Sequence, residues 1–534
     1  MTRGNNIGRS SLYVFLSFML LSGAVYATTY YADPASGNIA NGGSSALPWS
    51  TLEEVISSGK INLLAPGDTL LLRNGYHGSI TLSGNNSLVK TIAAEDGQKP
   101  QISKLVLTSG SKWTIKGLTI SPSFGTPYSG NIVTIAEGGT TTDVILEDCF
   151  IYSVLNTSAW TATDWMNTYS GIFQGRYGTN ITLRNNYVYN MRFGIALCSF
   201  DSVCEGNVIA DFSGDGIRTT RDGQTTQYNV IKNCYVDLAD GDANHDDAIQ
   251  CFLFNVGTGQ VNDLTIRGNV IMNHVDPAQK FSATMQGVGF FDGPLVNFLV
   301  EKNVVITDHW HGISLYDAQN CLIQNNTIYS YWWQTSGLKP WIQLGDKPIP
   351  AGAPSGNTVK DNMAMSFDFA ADPSVTKSNN TIVTPTACES ALVTAMTEIN
   401  NRFGPVHTIS GKVRLEGYTM TTTTTTTSTA SVAGTAIMQI YPNPISKVSL
   451  GDKTVKFKCS TSNVFDLTIY DAQGNLLFDM PSGYSSGKNG NFAVLGIAEW
   501  DGTTNSGSKC SRGIYYYTVR DAGGKKKTGK FAVE

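Results

Sequence analysis

One phrase recurs through the middle of this chain: Asn followed by two residues that are mostly β-branched or aromatic. It appears at Asn186-Tyr187-Val188, Asn207-Val208-Ile209, Asn233-Cys234-Tyr235, Asn269-Val270-Ile271, Asn303-Val304-Val305 and Asn326-Thr327-Ile328, with Asn362-Met363-Ala364 and Asn380-Thr381-Ile382 behind them. Successive Asn are 21, 26, 36, 34, 23, 36 and 18 residues apart. Between them lies a second pattern: Ser170-Gly171-Ile172, Phe193-Gly194-Ile195, Asp215-Gly216-Ile217, Asp247-Ala248-Ile249, Gln286-Gly287-Val288 and His311-Gly312-Ile313. Two short strand types per repeat, with Asn at a turn where the left-handed conformation is tolerated, describe a coil stacked on copies of itself. A unit of 21–23 residues lengthened by loop insertions fits a parallel β-helix. A leucine-rich repeat would need a Leu ladder where this chain has Asn, Val and Ile.

Side chains alternate along a strand, so the column Ile172, Ile195, Ile217, Ile249, Val288 and Ile313 is predicted to point inward. By the same rule Gly171, Gly194, Gly216, Ala248, Gly287 and Gly312 are predicted to point outward as the floor of a groove. The next outward column is Phe173, Ala196, Arg218, Gln250, Gly289 and Ser314. Asp215, Asp247, Gln286 and His311 enter these strands, with His245, Asp246 and His309 close by. Rungs stack at about 4.8 Å, so Asp215 should approach Asp246 and Asp247 to about 5 Å, with His311 roughly two rungs further on. Carboxylates this close repel unless a cation or a shared proton compensates. Oxygen ligands of this kind suit calcium, and Asp215, Asp246, Asp247 and Gln250 form the candidate metal set; alternatively, the acids only cap turns. His309, Trp310 and His311 form a candidate sugar-binding wall, because indole faces cover the apolar face of a pyranose without leaving polar groups unpaired. Gln286, Arg221 and His245 are the further candidate substrate contacts.

The 534 residues carry 37 Lys and Arg against 42 Asp and Glu, a net charge of −5, and this excludes a field that would gather nucleic acid. Residues 1–27 read as a secretory signal peptide: Arg3 and Arg9, then an apolar stretch from Leu12 to Val25, then Val25-Tyr26-Ala27. No later segment is apolar for long enough to span a membrane. The seven threonines Thr421 to Thr427 have no apolar face to bury. Residues 28–418 therefore form the expected β-helix domain, 419–436 a linker and 437–534 a small β-sandwich, whose alternating runs include 465–470 and 513–519. Nine cysteines without a CxxC pair argue against a zinc framework. Cys198, Cys234, Cys251 and Cys321 are expected as small apolar strand residues; a disulfide between Cys459 and Cys510 stays open.

The run Tyr30-Tyr31-Ala32-Asp33-Pro34, the predicted short helix around Ser50-Thr51-Leu52-Glu53-Glu54-Val55 and the following Pro66-Gly67-Asp68-Thr69-Leu70, taken with the repeats, resemble the right-handed parallel β-helix proteins of the pectate-lyase superfamily over about residues 28–400. The resemblance implies an all-β solenoid whose N-terminal end is capped by that helix. The segment Asn244-His245-Asp246-Asp247-Ala248-Ile249-Gln250 is similar to the calcium-binding Asn-x-Asp-Asp-Gly-x-Asp turn of family 9 pectate lyases, and Asp215 matches the acid one rung earlier. Ala248 stands in place of Gly and Gln250 in place of the last Asp, which removes one negative charge. The same resemblance implies a Lys base, for which Lys280 is the candidate. Tyr441-Pro442-Asn443-Pro444, Leu467 to Asp471 and Trp500-Asp501-Gly502 through Gly513-Ile514-Tyr515 resemble the Ig-like module of secreted bacterial enzymes, similar to that of flagellar hook-capping proteins. Such a module implies sorting by secretion machinery or attachment to a cell surface.

Three functions follow. The first is an exported lyase for a uronate polysaccharide, with calcium acidifying C5 and Lys280 or Arg218 taking the proton. The second is a glycoside hydrolase with Asp215 and Asp246 or Asp247 as acid and base and His311 tuning them. Asp246-Asp247 and His311-Gly312 resemble polygalacturonases in part, although 64 residues separate Asp247 from His311. The third is a carbohydrate-binding solenoid without chemistry.

Overall fold

The computed structural model describes residues 27–404 apart from 236–243, 252–258, 276–278, 282–283 and 347–353, and beyond 404 the strand segments 438–441, 455–459, 465–471, 476–480, 492–494, 497–500, 513–521 and 526–533. The expected signal segment, the Thr-rich linker and Cys510 lie outside the described residues. The chain divides into two units, Met1–Thr421 and Thr422–Glu534.

The first unit is a parallel β-helix. Its acid-bearing face stacks Ser170–Gln174, Ile195–Leu197, Ile217–Thr219, Asp247–Cys251, Gln286–Phe290, His311–Tyr316 and Trp341–Gly345, each parallel to the next. A second ladder runs from Thr141–Glu147 to Thr376–Ser378, and a third is a twelve-stranded sheet. The interior is one apolar cluster in which Ile172, Ile195, Ile217, Ile249, Val288 and Ile313 are all buried, as their column predicts. Each such side chain contributes about 1.5–3 kcal/mol. Leu52 and Val55 of the helix Leu52–Ser57 join that cluster from the N-terminal end. Cys198, Cys234, Cys251 and Cys321 are buried, as expected.

Two expectations from the repeat are corrected. The ladder of Asn runs Asn186, Asn207, Asn229, Asn269, Asn303, Asn326, Asn362 and Asn380, all but the last buried, and each after the first accepts at Oδ1 the backbone N–H of the one before it. Asn229 takes the place assigned to Asn233, which instead donates to Asp211 and accepts from the backbone of Val275. The left-handed residue is also not the ladder Asn but its predecessor, as at Asn185, Tyr228, Lys302, Asn325 and Asp361, each with φ between 52° and 57°. The ladder Asn is needed for its amide, which spans two rungs.

The Gly column does not face outward. A Cβ on Gly194 would lie 2.6 Å from Ile209 Cγ2, one on Gly216 2.6 Å from Ile231 Cγ2 and one on Gly287 2.6 Å from Val305 Cγ1. These are core side chains of the third sheet, and Ala248 is itself fully buried. The cause is a break in the pleat. Consecutive amides of a regular strand point to opposite sides, yet Gly194 N and Ile195 N both donate to the next rung, to Asp215 O and Gly216 O. Gly and Ile therefore both face inward, and the space beneath the third sheet takes nothing larger than Gly or, at 248, Ala.

The helix Pro385–Phe403 was not anticipated from the repeats. Thr384 caps it, and Cys388, Leu392, Met396 and Ile399 bury one stripe against a cluster that includes Val230, Val270, Val304 and Tyr329. The second unit contains two four-stranded antiparallel sheets. The two runs singled out in the sequence, within Phe465–Tyr470 and Gly513–Asp521, pair with one another, and Leu467, Ile469, Tyr515 and Tyr517 are buried.

Candidate functional site

The break in the pleat has a consequence for the outer face. The residue before each Gly or Ala and the residue after each Ile, three positions apart, come to lie side by side. Arg218 Nε meets Asp215 Oδ2 at 2.5 Å. One rung on, Gln250 Nε2 donates to Asp247 Oδ2 at 3.2 Å. Two rungs further, His311 Nδ1 is 2.7 Å from Ser314 Oγ. The outer face here is thus a row of such pairs rather than a Gly floor.

Asp215 and Asp247 occupy adjacent rungs, as predicted, and the Asp247 N–H donates to Asp215 Oδ1 at 3.1 Å. Both carboxyls are buried. Burial pushes the pKa of Asp215 up, against the opposing pull of Arg218 and of the hydrogen bonds from Asp247 and Asn244. Burial pushes Asp247 up much further, and the charges of Asp215 and Asp246 add to it. Asp247 Oδ1 has no hydrogen-bond partner among the described residues. It points over Gly289, where a Cβ would come within 2.1 Å of it. Asp246 is half-buried, and its carbonyl accepts the Gln286 N–H.

The calcium expectation requires free carboxylate oxygens. Arg218 holds Asp215 Oδ2, while Asn244 and the Asp247 N–H hold Oδ1. Among the described residues no group of three or more His, Cys, Asp or Glu could hold a metal ion. The positive charge beside Asp215 is a guanidinium, itself seated over the Phe193 ring at 3.9 Å, so both oxygens of Asp215 are taken by protein donors.

The remaining candidates separate into two groups. His309, Trp310 and His311 lie together, with Trp341 beside them: the two imidazoles stack at 5.2 Å and the two indoles at 6.1 Å. Burial lowers the pKa of His309 and of His311, each to about 4, so both are neutral at ordinary pH. His245 is exposed and meets Phe291 edge-on at 6.2 Å; Phe291 in turn contacts His311 and Tyr316. Lys280 and Arg221 have other partners. Lys280 Nζ donates to Trp160 O at 3.1 Å and lies over Phe281. Arg221 donates to Cys198 O and covers the Phe200 ring. Sequence reasoning missed Phe291, Tyr316 and the space above Gly289. Gly289 was visible as the one Gly of the outward column, but its use depends on where Asp247 points.

Residues 103–294 match the family described as the right handed beta helix region. No curated protein matches the chain. Among solved structures it is similar to pectate lyase Pel9A, at 14% identity over 58% of this chain and 78% of that one, with a TM-score of 0.37. It is also similar to the GH136 lacto-N-biosidase from Eubacterium ramulus, at 13% identity over 66% and 68%, TM-score 0.41. A third is the A-module of the Azotobacter vinelandii mannuronan C-5 epimerase AlgE6, at 13% identity over 62% and 93%, TM-score 0.39. The chemistry has to come from this chain's own residues. The first unit is a right-handed parallel β-helix.

Proposed function

We propose that the chain hydrolyses a glycan laid across the acid-bearing face, with Asp247 as proton donor and Asp246 as the carboxylate that activates water. The observation that carries this is the difference between two buried acids on adjacent rungs. Arg218 touches Asp215 and acts on Asp247 only from further off, where burial and the charges of Asp215 and Asp246 outweigh it, so Asp247 is the carboxyl held in its acid form. Environments that push neighbouring carboxyls apart mark an acid and its ionised companion. Asp215, with both oxygens occupied, is a positioning residue: it accepts the Asp247 N–H and holds Arg218 in place.

The test is digestion of a glycan panel by the purified full chain. New reducing ends without an unsaturated chromophore, at a rate indifferent to chelator, are the expected result. A chromophore that needs calcium would replace this reading with β-elimination, and a polysaccharide bound but left intact would leave a binding solenoid. Gly289→Ala offers a sharper check, since the added methyl collides with Asp247 Oδ1 and with Phe291. Activity should fall at least about tenfold while the circular dichroism spectrum is kept.

The same proposal makes the enzyme an exported one, with residues 1–27 as export signal and the second unit serving sorting or attachment. Every candidate site residue precedes the Thr-rich tract. The chain truncated after Tyr418 should therefore fold and keep its specific activity on soluble substrate. A folded but inactive truncation would show that the second unit completes the site.

A further inference from the structure

The hydrogen bonds around His309 and His311 fix where their ring protons are. His309 Nδ1 accepts the backbone N–H of His311 at 3.1 Å. The Trp341 indole N–H, which can only donate, is shared between His311 Nδ1 at 3.3 Å and Ser314 Oγ at 3.2 Å. Ser314 Oγ, accepting from the indole, turns its own proton to His311 Nδ1 2.7 Å away. Both Nδ1 atoms are therefore acceptors, and both neutral rings carry their proton on Nε2. Neither Nε2 has a hydrogen-bond partner among the described residues. Gln286, one rung earlier in the same column, is half-buried, and its amide oxygen is itself covered, with no hydrogen-bond partner among the described residues. Trp310 is 45% exposed beside them.

We infer that this corner is a subsite for a neutral, hydroxyl-bearing sugar residue, bound by the two Nε2–H donors with its ring against Trp310. The inference rests on reading this face as a glycan groove, but not on which carboxyl does the chemistry. His311 lies two rungs from Asp247, about 10 Å away, so the residue bound here is a neighbour of the one being cleaved. Its neutrality follows from the charges present. Among the described residues, the charges that act most on the two imidazoles are those of Asp308, His245 and His309, and none of these is a Lys or Arg. A uronate or sulfate would be desolvated beside an acid with no cation to pair it, which is costly. Sugar hydroxyls accept from the imidazoles and bring no charge that needs a partner.

The experiment is calorimetric titration of the full chain carrying Asp247→Asn, which stops turnover. The probes are hexasaccharides of β-1,4-linked galactose, xylose and mannose, and the hexamer of galacturonate. At least one neutral hexasaccharide should bind with an affinity that is flat between about pH 6 and about pH 8, where neutral imidazoles stay neutral. That affinity should drop about tenfold in Trp310→Ala and again in His311→Phe. Binding of the galacturonate hexamer alone, strengthening as the pH falls, would overturn the inference and identify cationic imidazoles holding a carboxylate. Binding of no probe, or binding unaffected by Trp310→Ala, would overturn it as well. Failure of the hydrolytic reading is separable: a wild-type chain that binds a neutral probe through Trp310 but never cuts it keeps the subsite and loses the acid.

Discussion

Replacing Asp247 by Asn is expected to lower glycan turnover by about 10³-fold, within the range of about 10²–10⁴ that a positioned proton donor contributes. Binding should survive, since Asn keeps the shape of the carboxyl. The same substitution is expected to stabilise the protein at neutral pH. Burial, with Asp215 and Asp246 nearby, raises the pKa of Asp247 in the fold above its value in the unfolded chain, which is about 3.9. Between those two values the folded state binds the proton and the unfolded chain does not. Stability therefore falls as the pH rises through that window. Asn carries no such penalty, so its advantage should be absent near pH 4 and grow towards neutrality. Thermal unfolding of both proteins across that range measures it. A variant less stable than the parent at neutral pH would mean that Asp247 is ionised against an unseen cation, and the assignment of the acid would fall with it.

Asn269→Ala is expected to cost about 2–6 kcal/mol, because it strips partners from two buried backbone groups at about 1–3 kcal/mol each. Asn269 Oδ1 accepts from Asn229 N and Nδ2, both at 3.0 Å. Its Nδ2 donates to Thr226 O at 2.9 Å and to Asn303 Oδ1 at 3.0 Å. Alanine leaves the Asn229 N–H and the Thr226 carbonyl unpaired where no water reaches. Denaturant unfolding is the measurement. A loss below about 0.5 kcal/mol, the size of an ordinary surface change, would show that the ladder follows from the coil rather than holding it together.

The repeat was legible in the sequence because a coil that buries one Ile per rung must place that Ile at a fixed point in each strand. The register from Ile172 to Ile313 came out as the spacing implied, and so did the approach of Asp215 to Asp247 on adjacent rungs and the position of His311 two rungs on. The slip from Asn229 to Asn233 had a physical cause: both Asn precede apolar residues, and only the hydrogen bonds along the ladder distinguish them. The helix Pro385–Phe403 carried its own signal in Thr384-Pro385 and the spacing of Cys388, Leu392, Met396 and Ile399, but no repeat pointed to it.

Strict alternation could not supply the outer face. It places residues three apart on opposite sides of a strand, which would separate Asp215 from Arg218, Asp247 from Gln250 and His311 from Ser314. The bend at the Gly column turns each pair to the same side, and with it decides that Asp215 meets a guanidinium and Asp247 meets none. The order of the rungs is local chemistry repeated, and the sequence carries it. Which acid keeps its proton depends on one missed pleat per coil, set by the closeness of the third sheet, and that is a property of the folded solenoid alone.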